Sequence, residues 1–141
     1  GQNAMVNCLR ANQVCGMLFG LGCLFGQDKM IEQYMPGAPE NVLPFIHMML
    51  PTMGIMMVSN ALRHGALSLS EDEDVQYAGV RGCLLFWAFN NGMLYANKQL
   101  NTFIGNEGAN DGYFFNFAMG FGFFYYCAQV LVAQDQKNKR D

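Results

Sequence analysis

The sequence predicts an all-α, polytopic membrane protein of four transmembrane helices, with the N- and C-termini on the same side and a single domain over residues 1–141. Three observations predict it. Only 13% of residues are charged while 52% are hydrophobic, where a soluble domain typically carries roughly 25% charge. The charges also cluster, leaving four charge-free windows at 11–27, 41–62, 82–97 and 112–134. Finally, Arg10, Arg63, Arg81, Lys137, Lys139 and Arg140 fall on one side of a four-span topology, and only Lys29 and Lys98 on the other. By the positive-inside rule both termini then face the side of negative potential.

A bilayer core of about 30 Å asks for roughly 17–25 predominantly apolar residues per helix. The windows at 41–62 and 112–134 reach that length comfortably, 11–27 just reaches it, and 82–97 falls slightly short. The mean hydropathy of +0.09 is modest. Asn, Gln and Gly lower it, being uncharged without being apolar. A soluble four-helix bundle would carry charges on its outer faces, and these windows lack them all the way round. A net charge of −3 argues against a nucleic-acid partner. Gly1 reads as a processed or partial start, and the run from Arg10 to Gly26 as a first span with any targeting peptide already removed.

The first helix is expected over about 3–26. Its glycines Gly16, Gly20, Gly22 and Gly26 make overlapping small-xxx-small patterns, which let a neighbouring helix approach closely in lipid. The following QDKMIEQYMPGAPEN carries the breakers Pro36-Gly37 and Pro39. Met30, Ile31, Tyr34 and Met35 in it fit a short amphipathic turn at the interface. The second helix is expected over about 41–65. Pro44 lies in its first turn, where proline is tolerated, and Pro51 lies inside it, where it frees the carbonyl of His47. The third, over about 71–100, opens with a capping box of Ser70 and Glu73 behind an acidic cluster. The fourth, over about 111–136, carries the aromatic-rich GYFFNFAMGFGFFYY, followed by the solvated tail QDQKNKRD.

The residues able to contact a cofactor are His47, His64, Asn90 and Asn116. The two histidines are 17 residues apart, about 25 Å along a helix, so they cannot share one metal. Each can supply a single axial ligand to a separate macrocycle, and chlorophyll magnesium needs only one. The bland reading sets His47 in a local hydrogen bond and His64 at the interface beside Arg63. Amides at Asn12, Gln13, Asn60, Asn90, Asn91, Asn116 and Gln129 fit interhelical hydrogen bonds, or an occasional contact to a pigment or lipid head group. The aromatic stretch suits lipid, another subunit, or the rings and tails of pigments and carotenoids. Five cysteines without a CxxC pair read as small hydrophobes, with Cys8 and Cys15 on one helix face. No carboxylate falls inside a window, and HExxH, GxSxG and phosphate-loop motifs are absent.

Spans of light-harvesting antenna proteins pair a buried Glu with an Arg in an ExxxxR-type motif. Here VSNALRHG sets Val58 where that Glu would precede Arg63, and QYAGVRG sets Gln76 before Arg81, so no antenna ligands carry over. In general character the chain resembles the small accessory subunits found around photosystem I or respiratory complexes. The expectation is a non-catalytic accessory membrane subunit that fills space among other subunits. A photosynthetic complex in a thylakoid membrane is preferred, with chlorophyll and structural lipids or carotenoids as contacts. The alternatives are a subunit of a respiratory complex in the mitochondrial inner membrane, and a small membrane enzyme or carrier built on His47, Asn90 and Asn91.

Overall fold

The computed structural model describes residues 2–100 and 110–141, and the side chains of 2–96 and 115–141. Residues 101–109 and the side chains of Lys98, Tyr113 and Phe114 lie outside the described residues. Those residues form five helices and no strand: α1 (Gln2–Phe25), α2 (Gln27–Tyr34), α3 (Leu43–Ser68), α4 (Glu73–Leu100) and α5 (Asn110–Arg140). Three are long and apolar enough to cross a membrane: α1, α3 and the Phe115–Arg140 part of α5. The expected fourth span, α4, is a long helix of the same bundle. Arg81, Asn90 and Asn91 interrupt its apolar stretch, and it falls short of the apolarity of those three.

The bundle is organised around α1, which touches every other helix. Against α3 it runs antiparallel at close range, and its glycines explain why. A Cβ built on Gly54 would stand 2.8 Å from the carbonyl oxygen of Gly20, and one on Gly20 would stand 2.7 Å from Val58 Cγ2. Neither position has room for a side chain. On its other face α1 presents Met5, Cys8 and Leu9 to a core shared with Val80, Cys83 and Trp87 of α4 and Cys127 and Leu131 of α5. α4 and α5 are antiparallel to each other, with Glu73 near Lys137 and Trp87 stacked on Phe123. Gln2 donates to the Glu71 carbonyl. The start of α1, the start of α4 and the end of α5 therefore lie at one end of the bundle.

The opposite end is closed by α2. The segment expected as a short amphipathic turn forms two turns of helix, and its apolar side packs on the bundle. Met30, Ile31 and Met35 cover a second core of Cys23, Ile46 and Leu50, and the rings of Tyr34 and Phe19 lie 6.5 Å apart. The chain then reverses through Pro36-Gly37, where Gly37 takes φ 74°, a conformation glycine adopts without a Cβ penalty. α3 continues as one helix through Pro51.

Expected boundaries move in three helices. α3 begins and ends later than 41–65, and α5 runs on through the charged tail to Arg140. α4 starts at Glu73 rather than near Glu71, because Asp72 takes the capping role expected of Ser70. Its Oδ1 accepts from the backbone N–H of Asp74 at 2.9 Å and of Val75 at 3.4 Å, while Ser70 Oγ accepts from the N–H of Asp72. A carboxylate also answers the positive end of the helix better than a hydroxyl does. Glu73 is then free to turn toward Gln134 and Lys137.

Two outcomes follow for stability in detergent micelles. Gly54→Val should cost about 1–3 kcal/mol, since the side chain has nowhere to go. Gly82→Ala, whose Cβ meets no atom within 4 Å, should instead stabilise by up to about 1 kcal/mol. Denaturant unfolding of the two variants side by side measures both. Separately, Asp72→Ala should cost about 0.5–2 kcal/mol and exceed the cost of Ser70→Ala. Amide exchange over the first turn of α4 reads this directly.

Candidate functional site

The four residues singled out in the sequence do not converge. His47 stands on the first turns of α3 and is held by α2. Its Nδ1 lies 2.9 Å from Gln27 Oε1, and its Nε2 lies 4.0 Å from Asp28 Oδ1. Gln27 and Asp28 open α2, so the imidazole ties the short helix to the long one. His64 lies toward the other end of α3. Its Nε2 is 3.4 Å from Cys83 Sγ on α4, and its Nδ1 is buried without a hydrogen-bond partner. An axial metal bond to His47 would have to displace Asp28 or Gln27. One to His64 Nε2 would have to displace the Cys83 thiol.

Asn90 and Asn91 lie on α4 facing α5. Gly120 of α5 leaves the room they occupy: a Cβ there would collide with Asn91 Oδ1 and come within 3.4 Å of Asn90 Nδ2. Asn91 is buried, and its Oδ1 finds no partner among the described residues. Asn116, half-buried, lies one helical turn before Gly120 on α5. Asn90 and Asn91 thus lie at the α4–α5 seam, while His47 belongs to the α2–α3 contact.

The most closely knit polar group was not foreseen as a unit. Asn12, 5% exposed, stands at the centre of the bundle. Its Nδ2 donates to the Cys8 carbonyl at 2.9 Å, one turn earlier on α1, and lies 3.8 Å from both Cys8 Sγ and Cys127 Sγ. Its Oδ1 accepts from Trp87 Nε1 at 2.7 Å. The Cys8 and Cys127 sulfurs are 3.6 Å apart, in contact without a bond, and all five cysteines are free thiols. One amide therefore joins α1, α4 and α5. Cys8 and Cys15 do share a face, the one toward α5, for Cys15 Sγ meets Met119 Sδ at 3.8 Å. The signal available in the sequence was the i, i+4 pair of Cys8 and Asn12 within an apolar stretch holding a single arginine. Its partners, 75 and 115 positions away, left no local trace.

The Cys8 and Cys127 thiols of the knot are buried, and the hydrogen bonds around them involve an amide, an indole and a backbone carbonyl. Among the described residues no group of three or more His, Cys, Asp or Glu is arranged to hold a metal ion. Comparison with protein-family models, with curated proteins and with solved structures finds no match. What the chain does is therefore argued from its own side chains.

Asn12→Leu should leave the Trp87 N–H buried without an acceptor and cost about 1–3 kcal/mol. Trp87 is the single tryptophan of the chain. Its fluorescence emission in the folded variant is expected to move to shorter wavelength, which a spectrum of the purified protein in detergent checks.

Proposed function

We propose that the chain is a non-catalytic accessory subunit of a larger energy-converting membrane complex, crossing the bilayer four times with both termini on the side of negative potential. The observation that carries this reading is an exterior at least as apolar as the interior. The buried side chains include Asn12, Gln76, Asn91 and Gln134, while large apolar side chains such as Leu18, Ile55, Met56, Phe89, Phe121 and Tyr125 are exposed by 59–74%. Lipid or apolar protein is the solvent such a surface fits. α4 follows the same rule: Gln76 and Asn91 point inward, and Leu85, Phe86, Phe89 and Met93 point out. Its lower apolarity is then no bar to its being the fourth span.

The side chains favour packing over turnover. Asn12 and Gln134 are spent on helix-to-helix contacts, and the ion pair of Glu73 with Lys137, at 3.4 Å, lies at the bundle end. Within this class we favour a photosynthetic complex in the thylakoid. The exposed aromatic side chains of α5 offer flat surface to chlorophyll rings or carotenoids, and His47, 42% exposed at its side chain, is the more accessible of the two histidines. A respiratory complex uses the same surfaces with lipids in place of pigments.

The test is an absorption spectrum of the native membrane complex with which the chain co-migrates. Chlorophyll bands are the expected result, with loss of one pigment in His47→Ala if that imidazole is a ligand. Cytochrome bands without chlorophyll would move the chain to a respiratory complex. A colourless band holding this chain alone would overturn the accessory reading.

A further inference from the structure

Because α1 is wedged between them, α3 and α4 separate along one side of the bundle and leave a groove of about 510 Å³. One wall is the α3 face bearing Asn60, Arg63 and His64. The other is the α4 face bearing Gly79, Gly82 and Phe86. At Gly82 the wall is bare backbone, where a Cβ would meet nothing within 4 Å. On α4 the groove reaches from Val75 to Phe86, about 16 Å at 1.5 Å per residue. That suits a long apolar chain lying parallel to the helices. Arg63 stands in the polar wall, exposed, with no ion-pair partner among the described residues. It lies within two turns of the end of α3, on the bundle end that carries the termini. A guanidinium at that level reaches the head-group region by its own stem, and its fork matches the oxygens of a phosphate.

We propose that this groove is a binding site for one anionic phospholipid, its phosphate on Arg63 and an acyl chain running inward along Gly82 and Phe86. The proposal rests on the membrane placement given above. An unpaired cation above a narrow apolar trough is complementary to an anionic amphiphile and to neither half of one alone. A free phosphate would leave the trough empty, and a zwitterionic lipid would bring its phosphate together with a compensating ammonium, which weakens the attraction to the arginine. His64 borders the groove and is already engaged by Cys83, so the arginine is the group that selects the head. The chain as a whole is anionic, at −3. A preference for anionic lipid must therefore come from a local basic site.

Trp87 follows Phe86 in sequence, and the two rings meet edge to face at 5.0 Å. The single tryptophan thus sits just behind the groove wall and reports on its occupant. The full chain is reconstituted into phosphatidylcholine vesicles, and Trp87 fluorescence is followed as part of the lipid is replaced by phosphatidylglycerol or phosphatidylcholine brominated on the acyl chain. The brominated anionic lipid should quench at about fivefold lower mole fraction than the neutral one, the preference one arginine gives at an anionic head group. Arg63→Gln should abolish that preference. Arg81→Gln, a cation near the same end but outside the groove, should keep it. Gly82→Leu, which fills the trough, should weaken quenching by both lipids.

Equal quenching by the two lipids in the unaltered chain would overturn the site, as would an unchanged preference in Arg63→Gln. Flotation of the vesicles on a density gradient separates this from the broader reading. Protein that floats with the vesicles and quenches without preference refutes the lipid site alone. Protein left behind in the aqueous fraction refutes the membrane placement and the site with it.

Discussion

The contact between the backbones of α1 and α3 at Gly20 and Gly54 fixes where the other helices sit. Two helices without side chains at their crossing come close enough for carbonyl oxygens to replace methyl groups as neighbours. That proximity fixes α1 against α3 on one face and leaves the opposite face, with Met5, Cys8, Leu9 and Asn12, as the only surface on which α4 and α5 can close. The order of helices around the bundle, and the divergence of α3 from α4, both follow from α1 being held in the middle.

Once α1 is central, the amide of Asn12 acquires a particular value. In a hydrocarbon solvent there is little hydrophobic gain in bringing helices together, and packing and hydrogen bonds must hold them. Asn12 spends its donor on its own helix and nearby sulfurs, and its acceptor on Trp87. It leaves no polar atom to the apolar surroundings while fixing the rotation of α4 about its axis. The same logic appears at the bundle end, where Gln76 donates to the Ser70 carbonyl at 2.6 Å and Gln134 to Glu73 at 3.1 Å. Tyr77 donates its hydroxyl to Asp135 at 2.9 Å there. Polar side chains here are connectors between helices.

Much of the architecture was legible because it is written in local terms. Charge-free windows located the long helices, the spacing of Gly16 and Gly20 marked the close approach, and Pro36-Gly37 marked the reversal. What the sequence could not convey is which face of one helix meets which face of another. The hydrophobic pattern is nearly uniform around each long helix, so periodicity carries little direction. Asn12 could be seen to need a partner, but nothing near it in the chain named Trp87. The cap of α4 was misplaced for a related reason: Ser70 and Asp72 both suit the role, and only the path of the backbone out of α3 decides between them. His47 was singled out as an axial ligand to a pigment from its residue type and its place near one end of a span. The helix that claims its ring, α2, was expected only as a turn.

The outward face of α3 is written largely in methionine: Met48, Met53 and Met56 are all exposed. Thioethers adapt to irregular neighbours, whether acyl chains or the surface of another subunit. They are also the apolar side chains most readily converted to polar ones, since oxidation turns each into a sulfoxide with a strong S–O dipole and a new stereocentre. A sulfoxide on this face would set a strong acceptor against apolar surroundings. The face that lets α3 conform to its surroundings is thus also the one on which oxidative damage would first be felt, as a loss of fit at the outside of the bundle while the core around Asn12 stays intact.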